Sequence, residues 1–147
     1  MLRKGGLKDL KGLMALEVRC FGADEGLFNY RQLRALLKNP RALWLIEDDF
    51  SGAACLLIAA NRYTRWGRLY SLSVDPRFRQ QGIARRLVEQ AFVWFREQKL
   101  DTCRAEVKID NIGARRLYAS LGFTEKNLLP HYYGLNQHGL RLVRKLD

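Results

Sequence analysis

Residues 67–109 constrain the fold more than any other part of the chain. Residues 67–74 read as an apolar strand closed by Asp75-Pro76, and a basic loop follows. Residues 83–97 then carry Ile83, Leu87, Val88, Ala91, Phe92 and Phe95 on one helical face. Residues 102–109 alternate Cys103, Ala105, Val107 and Ile109 with Thr102, Arg104, Glu106 and Lys108, which is the period of a half-buried strand. Strand, helix and strand in that order make a crossover, and a crossover supplies a parallel pair.

The remaining segments extend this unit. The first four residues read as a short edge strand. Leu7, Leu10, Leu13, Met14, Leu16 and Val18 give residues 7–20 a helical spacing, and Gly22, Asp24 and Gly26 mark a turn. Leu33, Leu36 and Leu37 carry a second helix over 27–38, stopped by Asn39-Pro40. Strands over 42–47 and 53–60 flank a hairpin turn containing Asp48-Asp49 and Ser51-Gly52. After the crossover, Asn111 caps a short helix over 111–120, Leu121-Gly122-Phe123 returns the chain to a strand, and 140–146 reads as the last strand. The order β-α-α-β-β-β-α-β-α-β-β predicts an α/β (α+β) fold. Its sheet is mixed and mostly antiparallel, with helices on both faces, in a single domain over residues 1–147.

Composition excludes several classes. A chain of 147 residues, 48% hydrophobic and with three prolines, builds a core without disulfides or a structural metal. Its longest apolar run covers residues 53–60, too short to cross a bilayer, and its basic N-terminus lacks the apolar stretch of a secretory signal. Cys20, Cys55 and Cys103 fit neither a disulfide framework nor a metal pattern, and His131 and His138 lie outside zinc spacing. The expectation is a soluble, cytoplasmic protein without a metal. The charge is uneven: 26 Lys and Arg against 15 Asp and Glu give +11, and residues 61–86 hold seven arginines against Asp75 alone. Such a segment attracts anions, whether nucleic acid, acidic protein or a phosphorylated cofactor.

The segment contains a site for one. Gly82 stands between a strand and the start of an amphipathic helix, where the first turn leaves backbone N–H groups unpaired. A phosphate there gains hydrogen bonds and the positive end of the helix dipole, with Arg79, Arg85 and Arg86 adding field. The loop is neither a P-loop nor a dinucleotide fingerprint, because Gly82 is its only glycine. It resembles instead the signature of the GNAT family of N-acetyltransferases, in Arg79-Gln80-Gln81-Gly82-Ile83-Ala84. A second family feature follows in Glu106-Val107, Asn111, Ala114, Leu117-Tyr118 and Leu121-Gly122-Phe123. Within the family, the likeness is closest to the bacterial ribosomal-protein-alanine N-acetyltransferases, through residues 74–88, residues 105–123 and the pair Tyr132-Tyr133.

The resemblance implies acetyl-CoA as cofactor. Backbone around Arg79, Gln80, Gln81, Gly82, Ile83 and Ala84 would hold its pyrophosphate. Leu72 to Val74 would pair with its pantetheine arm, and Asn111 would bond that arm further along. A backbone N–H near Val74 would steady the oxyanion. Glu106 would take the proton of the attacking amine, although a strand glutamate is also commonly a surface residue. Tyr118 would protonate the departing thiolate, although at helical spacing with Leu117 and Leu121 it also reads as a core tyrosine. The implied reaction is acetyl transfer to a primary amine, foremost a protein or peptide N-terminal α-amine. The alternatives are a small-molecule amine acetyltransferase and, in another class, a non-catalytic acetyl-CoA-binding or nucleic-acid-binding module. Where the alanine N-acetyltransferases have an Asn-Tyr-Tyr run and then an acidic segment, this chain has His131-Tyr132-Tyr133 and no acid until Asp147. That departure implies a less negative acceptor wall, and the +11 charge would steer in an anionic acceptor environment, with which ribosome association is compatible.

Overall fold

The computed structural model describes residues 2–21, 30–47, 53–59 and 65–146. Seven strands form one sheet in the order β1-β2-β3-β4-β5-β7-β6. They are β1 (Leu2–Lys4), β2 (Ala42–Glu47), β3 (Ala53–Ala59), β4 (Trp66–Val74), β5 (Thr102–Lys108), β6 (Thr124–Leu129) and β7 (Gly139–Lys145). Every neighbouring pair is antiparallel except β4 and β5. That exception is the pair the crossover required, linked by α3 (Ile83–Glu97). The other helices are α1 (Leu10–Phe21), α2 (Tyr30–Lys38) and α4 (Ile112–Ser120). The predicted element order and fold class are those observed.

The helices cover opposite faces because each apolar stripe has its own counterpart. Ile83, Leu87, Phe92 and Phe95 of α3, with Tyr118 of α4, pack against Leu69, Ala105, Val107 and Leu142. Leu10, Leu13 and Leu16 of α1 and Leu33 of α2 pack against Trp44 and Ile46 on the other face. Gly67 lets α3 approach closely: a Cβ there would lie 2.3 Å from Phe95 Cε1.

Several local expectations are corrected. Leu7 opens a 3₁₀ turn rather than the helix, and both it and Val18 stand exposed, so the buried stripe of α1 is narrower than the leucine count implied. β5 stops at Lys108, leaving Ile109 exposed past its end. Leu121-Gly122-Phe123 is a turn that buries Leu121 and Phe123, and β6 begins only at Thr124. The alternation of β7 runs through Leu140 and Leu142 to Arg144, whose guanidinium covers the Phe92 ring and donates to the Leu121 carbonyl at 3.1 Å. Val143, which broke the sequence alternation, lies on the opposite face. The predicted turns at Gly22, Asp24 and Gly26 and at Asp48 to Gly52 lie outside the described residues. So do residues 27–29 of the second predicted helix and Ala60.

Candidate active site

The site begins as a failure of pairing. β4 and β5 run in register from Trp66↔Thr102 to Leu69↔Ala105 and then part. The cause lies on the other edge of β4, where Leu57 pairs with Leu69 but Leu56 pairs with Ser71. Tyr70 is therefore the additional residue of a β-bulge, which bends its strand and increases local twist. Past the bulge, the two strands diverge around a cleft of about 350 Å³. Among the described residues, the edge of β4 turned away from β3 has no strand partner along this stretch, which leaves backbone groups of residues 70–74 unpaired on that side, with Leu72 lining the cleft. One of those groups is already used: Arg79 Nε donates to the Val74 carbonyl at 3.0 Å.

Glu106 stands on the face of β5 opposite the buried Ala105 and Val107, as the alternation predicts, and it lines the cleft. Its side chain is only 8% exposed and sits between two guanidinium groups. Arg68 Nε donates to Oε2 at 3.0 Å, and Arg141 Nε lies 3.6 Å from Oε1. Arg68 also donates to the Tyr132 hydroxyl at 2.9 Å and lies over the Tyr70 ring. Burial weakens the charge on Arg68, but Glu106 and Tyr132 outweigh it and hold the guanidinium more firmly protonated than usual. Tyr133 packs edge-on against Tyr132, and burial, with Tyr132 and Glu106 beside it, pushes its phenol up to about 12.

Tyr118 reaches the cleft from α4 and is 6% exposed, held edge-on by Phe123 with ring centroids 5.1 Å apart. Its ring belongs to the core, as the helical spacing with Leu117 and Leu121 predicts, and the residue also lines the cleft. Asn111 also lines the cleft, and its Oδ1 accepts from the Ala114 N–H at 3.1 Å as the cap of α4.

The loop from Arg79 to Ala84 has the conformation its glycine requires. Gln80 and Gly82 both have left-handed backbone, at φ 65° and 76°. Successive N–H groups in such a loop converge on a concavity suited to an anion. α3 starts at Ile83 with no side-chain cap and no acid in its first turn, leaving its N–H groups directed outward. The three arginines make contacts within the protein. Arg79 folds back to Val74, Arg85 donates to Ser120 Oγ at 2.9 Å, and Arg86 lies 3.5 Å from Glu47. An anion at this loop would be held by backbone and helix dipole more than by side-chain charge.

Three residues in or beside the cleft went unnoticed in the sequence. Arg68 and Arg141 clamp Glu106, and Glu17 enters from α1 with 5% exposure. Glu17 Oε1 accepts from Ser71 Oγ at 3.0 Å and Ser73 Oγ at 3.4 Å. Burial raises its pKa above the ordinary glutamate value, against the pull of those hydroxyls. A signal was present: Leu10, Leu13, Glu17 and Cys20 share one helical stripe, and an acid on a buried stripe asks for a partner.

The chain is 30% identical over 122 residues to the mycothiol acetyltransferase of Beutenbergia cavernae, covering 76% of this chain and 40% of that protein. It is 33% identical over 131 residues to N-alpha-acetyltransferase 30 of Homo sapiens, covering 88% of this chain and 36% of that protein. It thus spans less than half the length of these curated relatives. Its fold superimposes on the crystal structure of the ribosomal-protein-S18-alanine N-acetyltransferase from Escherichia coli with a TM-score of 0.85 at 20% identity, covering all of this chain and 94% of the other. The model of the acetyltransferase (GNAT) family matches residues 10–123, a span holding the glycine loop, Glu106 and Tyr118. On that match, the chain belongs to the acetyltransferase (GNAT) family.

Proposed function

We propose that the chain is an acetyl-CoA-dependent N-acetyltransferase whose acceptor is the N-terminal α-amine of a protein or peptide. The observation carrying this reading is the convergence of Glu106 and Tyr118, from different elements, on one cleft. The residues present suit a pyrophosphate-bearing cofactor with an amide-containing arm. The uncapped helix start and left-handed Gly82 fit the pyrophosphate, and the unpaired edge of β4 at Leu72 and Val74 fits the arm. Bound acetyl-CoA supplies the activated acetyl group; the chain supplies orientation and proton transfer.

The cleft favours a neutral nucleophile. An α-ammonium has a reference pKa of about 7.7–8.0 and a lysine ammonium about 10.4, so the α-amine is far easier to deprotonate. Arg68 and Arg141 add positive charge beside Glu106, which disfavours an ammonium and favours the amine. Glu106 then accepts the proton, its carboxylate held in one orientation by the two guanidiniums. The Tyr118 hydroxyl donates its proton to the departing thiolate. These same cations argue against a polycationic small amine as the acceptor.

The test is a thiol-release assay over peptides with free α-amines and a panel of small amines. Glu106→Gln and Tyr118→Phe are each expected to lower kcat by about 10²–10⁴-fold with acetyl-CoA affinity retained. A wild-type protein that acetylates small amines and no peptide would refute the acceptor assignment. Unchanged rates in either variant would remove that residue from the chemistry.

A further inference from the structure

Beyond the cleft, on the side of the sheet that carries Glu106, a second cavity of about 440 Å³ lies over β5, β7 and β6. Thr102, Arg104, Lys126, Asn127, Arg141 and Val143 line it, three of them cations and none an acid. Its parts come from the sheet's own geometry. Arg104 and Glu106 share a face of β5, and Glu106 is directly opposite Arg141, which is opposite Asn127. Lys126 is the additional residue of a bulge between Glu125 and Asn127 in the edge strand. A bulge re-aims its side chain, and here it aims a lysine into the cavity.

The cations there are unlike those of the glycine loop. Among the described residues, neither Arg104 nor Lys126 has a carboxylate within ion-pair distance, and the Arg104 guanidinium instead lies 4.2 Å over the Trp66 ring. Among the described residues, Arg141 Nε is buried without a hydrogen-bond partner while it stands 3.6 Å from Glu106, so it lines the cavity and contacts the glutamate of the cleft. Arg104 is half-buried and Lys126 exposed, and cations without a carboxylate partner leave more of their field for an incoming anion than paired ones do. A lysine on an edge strand also deters strand pairing, but that role needs no cavity and no arginine beside it.

The separation matches one ligand. Arg104 lies two residues from Glu106, about 7 Å along the strand, and β7 and β6 lie about 5 and 10 Å across it. An extended peptide advances about 3.3 Å per residue. With its α-amine at Glu106, its second or third side chain therefore reaches the cavity. Resting on the N-terminal reading above, we infer that this cavity selects acceptor peptides carrying a carboxylate at the second or third position, with Arg104 and Lys126 as specificity-determining residues and Arg141 coupling them to the reacting end.

The experiment measures kcat/KM for three peptides that begin with alanine and differ only at positions two and three: two aspartates, two alanines or two lysines. The wild-type protein is expected to prefer the aspartate peptide over the lysine peptide by about fivefold or more at low ionic strength, with the preference shrinking as salt is raised. The pair Arg104→Gln with Lys126→Gln should bring the ratio near one, and Arg104→Glu with Lys126→Glu should invert it, while the alanine peptide keeps its rate. Equal rates on all three peptides in the wild type would overturn the inference and leave the N-terminal reading standing. Turnover of small amines with no peptide acetylated would overturn both. If the substitutions leave the peptide ratio alone but weaken binding of a fluorescent RNA oligonucleotide, the inference is again overturned, and the cations serve nucleic acid.

Discussion

Replacing Gly67 by alanine tests whether the packing of α3 on the sheet holds the site together. The added Cβ would stand 2.3, 2.5 and 2.9 Å from three atoms of the Phe95 ring. Carbon contacts relax only near 3.5 Å, so the ring or the backbone must retreat by roughly 1.2 Å. Phe95 has no exposed surface into which to move, and Gly67 itself is fixed by pairing to Cys103 on β5 and Ala59 on β3. Overpacking of this kind costs about 1–3 kcal/mol. For a chain of this size, each kcal/mol lowers Tm by about 2–4 °C, so a fall of about 2–12 °C is expected. Urea denaturation gives the free energy directly, and Phe95→Leu supplies the control. In the double variant, the smaller side chain leaves room for the alanine, so its destabilisation should fall short of the two single effects added together by more than about 0.5 kcal/mol. A Gly67→Ala protein within about 0.5 kcal/mol of wild type, or strict additivity with Phe95→Leu, would refute the close-approach argument. The consequence for the site is an acetyl-CoA dissociation constant raised a few-fold, because the uncapped start of α3 moves with the helix.

Three further outcomes follow from buried ionisable groups. The folded state holds the Glu17 proton above the ordinary glutamate value of 4.5, so this group's stabilising contribution is full at pH below that value and is lost as pH rises through the folded pKa. Glu17→Gln, which keeps an acceptor for Ser71 and Ser73, should therefore raise Tm at pH 7–8 and lose that advantage near pH 4; equal effects at both pH values would contradict the assignment. Asp75 behaves oppositely. Arg77, through its side chain and backbone N–H, and Arg19 hold its carboxyl well below the usual 3.8, so its contribution is present above that value and is lost as pH falls through the folded pKa. Asp75→Asn should be less stable than wild type at pH 6–7, with the gap closing in acid, as thermal melts across pH would reveal. The Cys103 thiol is buried and pushed up to about 12 by that burial, so it should resist an aromatic disulfide reagent at pH 8 until the protein unfolds. Rapid labelling of Cys103 in the native protein, mapped by mass spectrometry, would count against its burial.

Periodicity made the scaffold legible, and the reason is local. Residues 83–97 alternate their apolar side chains with the helical period, and residues 102–108 with the strand period, so each element announced both its type and its buried face. The loop at Gly82 was legible for a similar reason, since a lone glycine before an uncapped helix has a specific backbone task. What stayed hidden depends on register. That Glu106 meets Arg68 and Arg141 follows from which residue of β5 faces which residue of β4 and β7, and no single strand encodes that. The bulge at Tyr70 is equally silent, because apolar and polar residues alternate through 69–74 with one insertion that reads as ordinary scatter. Glu17 was the one legible miss.

The bulge deserves the larger share of the explanation, because it converts a continuous sheet into two halves with one seam. Without it, β4 would keep its alternation past Leu69 and could pair with β5 through Glu106 to Lys108, closing the cleft. With it, Ser71 and Ser73 turn toward Glu17, Leu72 and Val74 toward the α3 core, and the edge of β4 is left unpaired beside the helix start. The same logic sorts the charge excess. Arginines in the dense 61–86 segment are largely spent on the protein itself: Arg68 on Glu106, Arg77 on Asp75, Arg79 on Val74, Arg85 on Ser120 and Arg86 on Glu47. Arg62, also in that segment, lies outside the described residues. Arg104 and Lys126, in stretches whose composition is unexceptional, have no such partners among the described residues. Field strength at a surface depends on what remains unpaired after folding, so the anion-seeking surface falls where the sequence is only moderately basic.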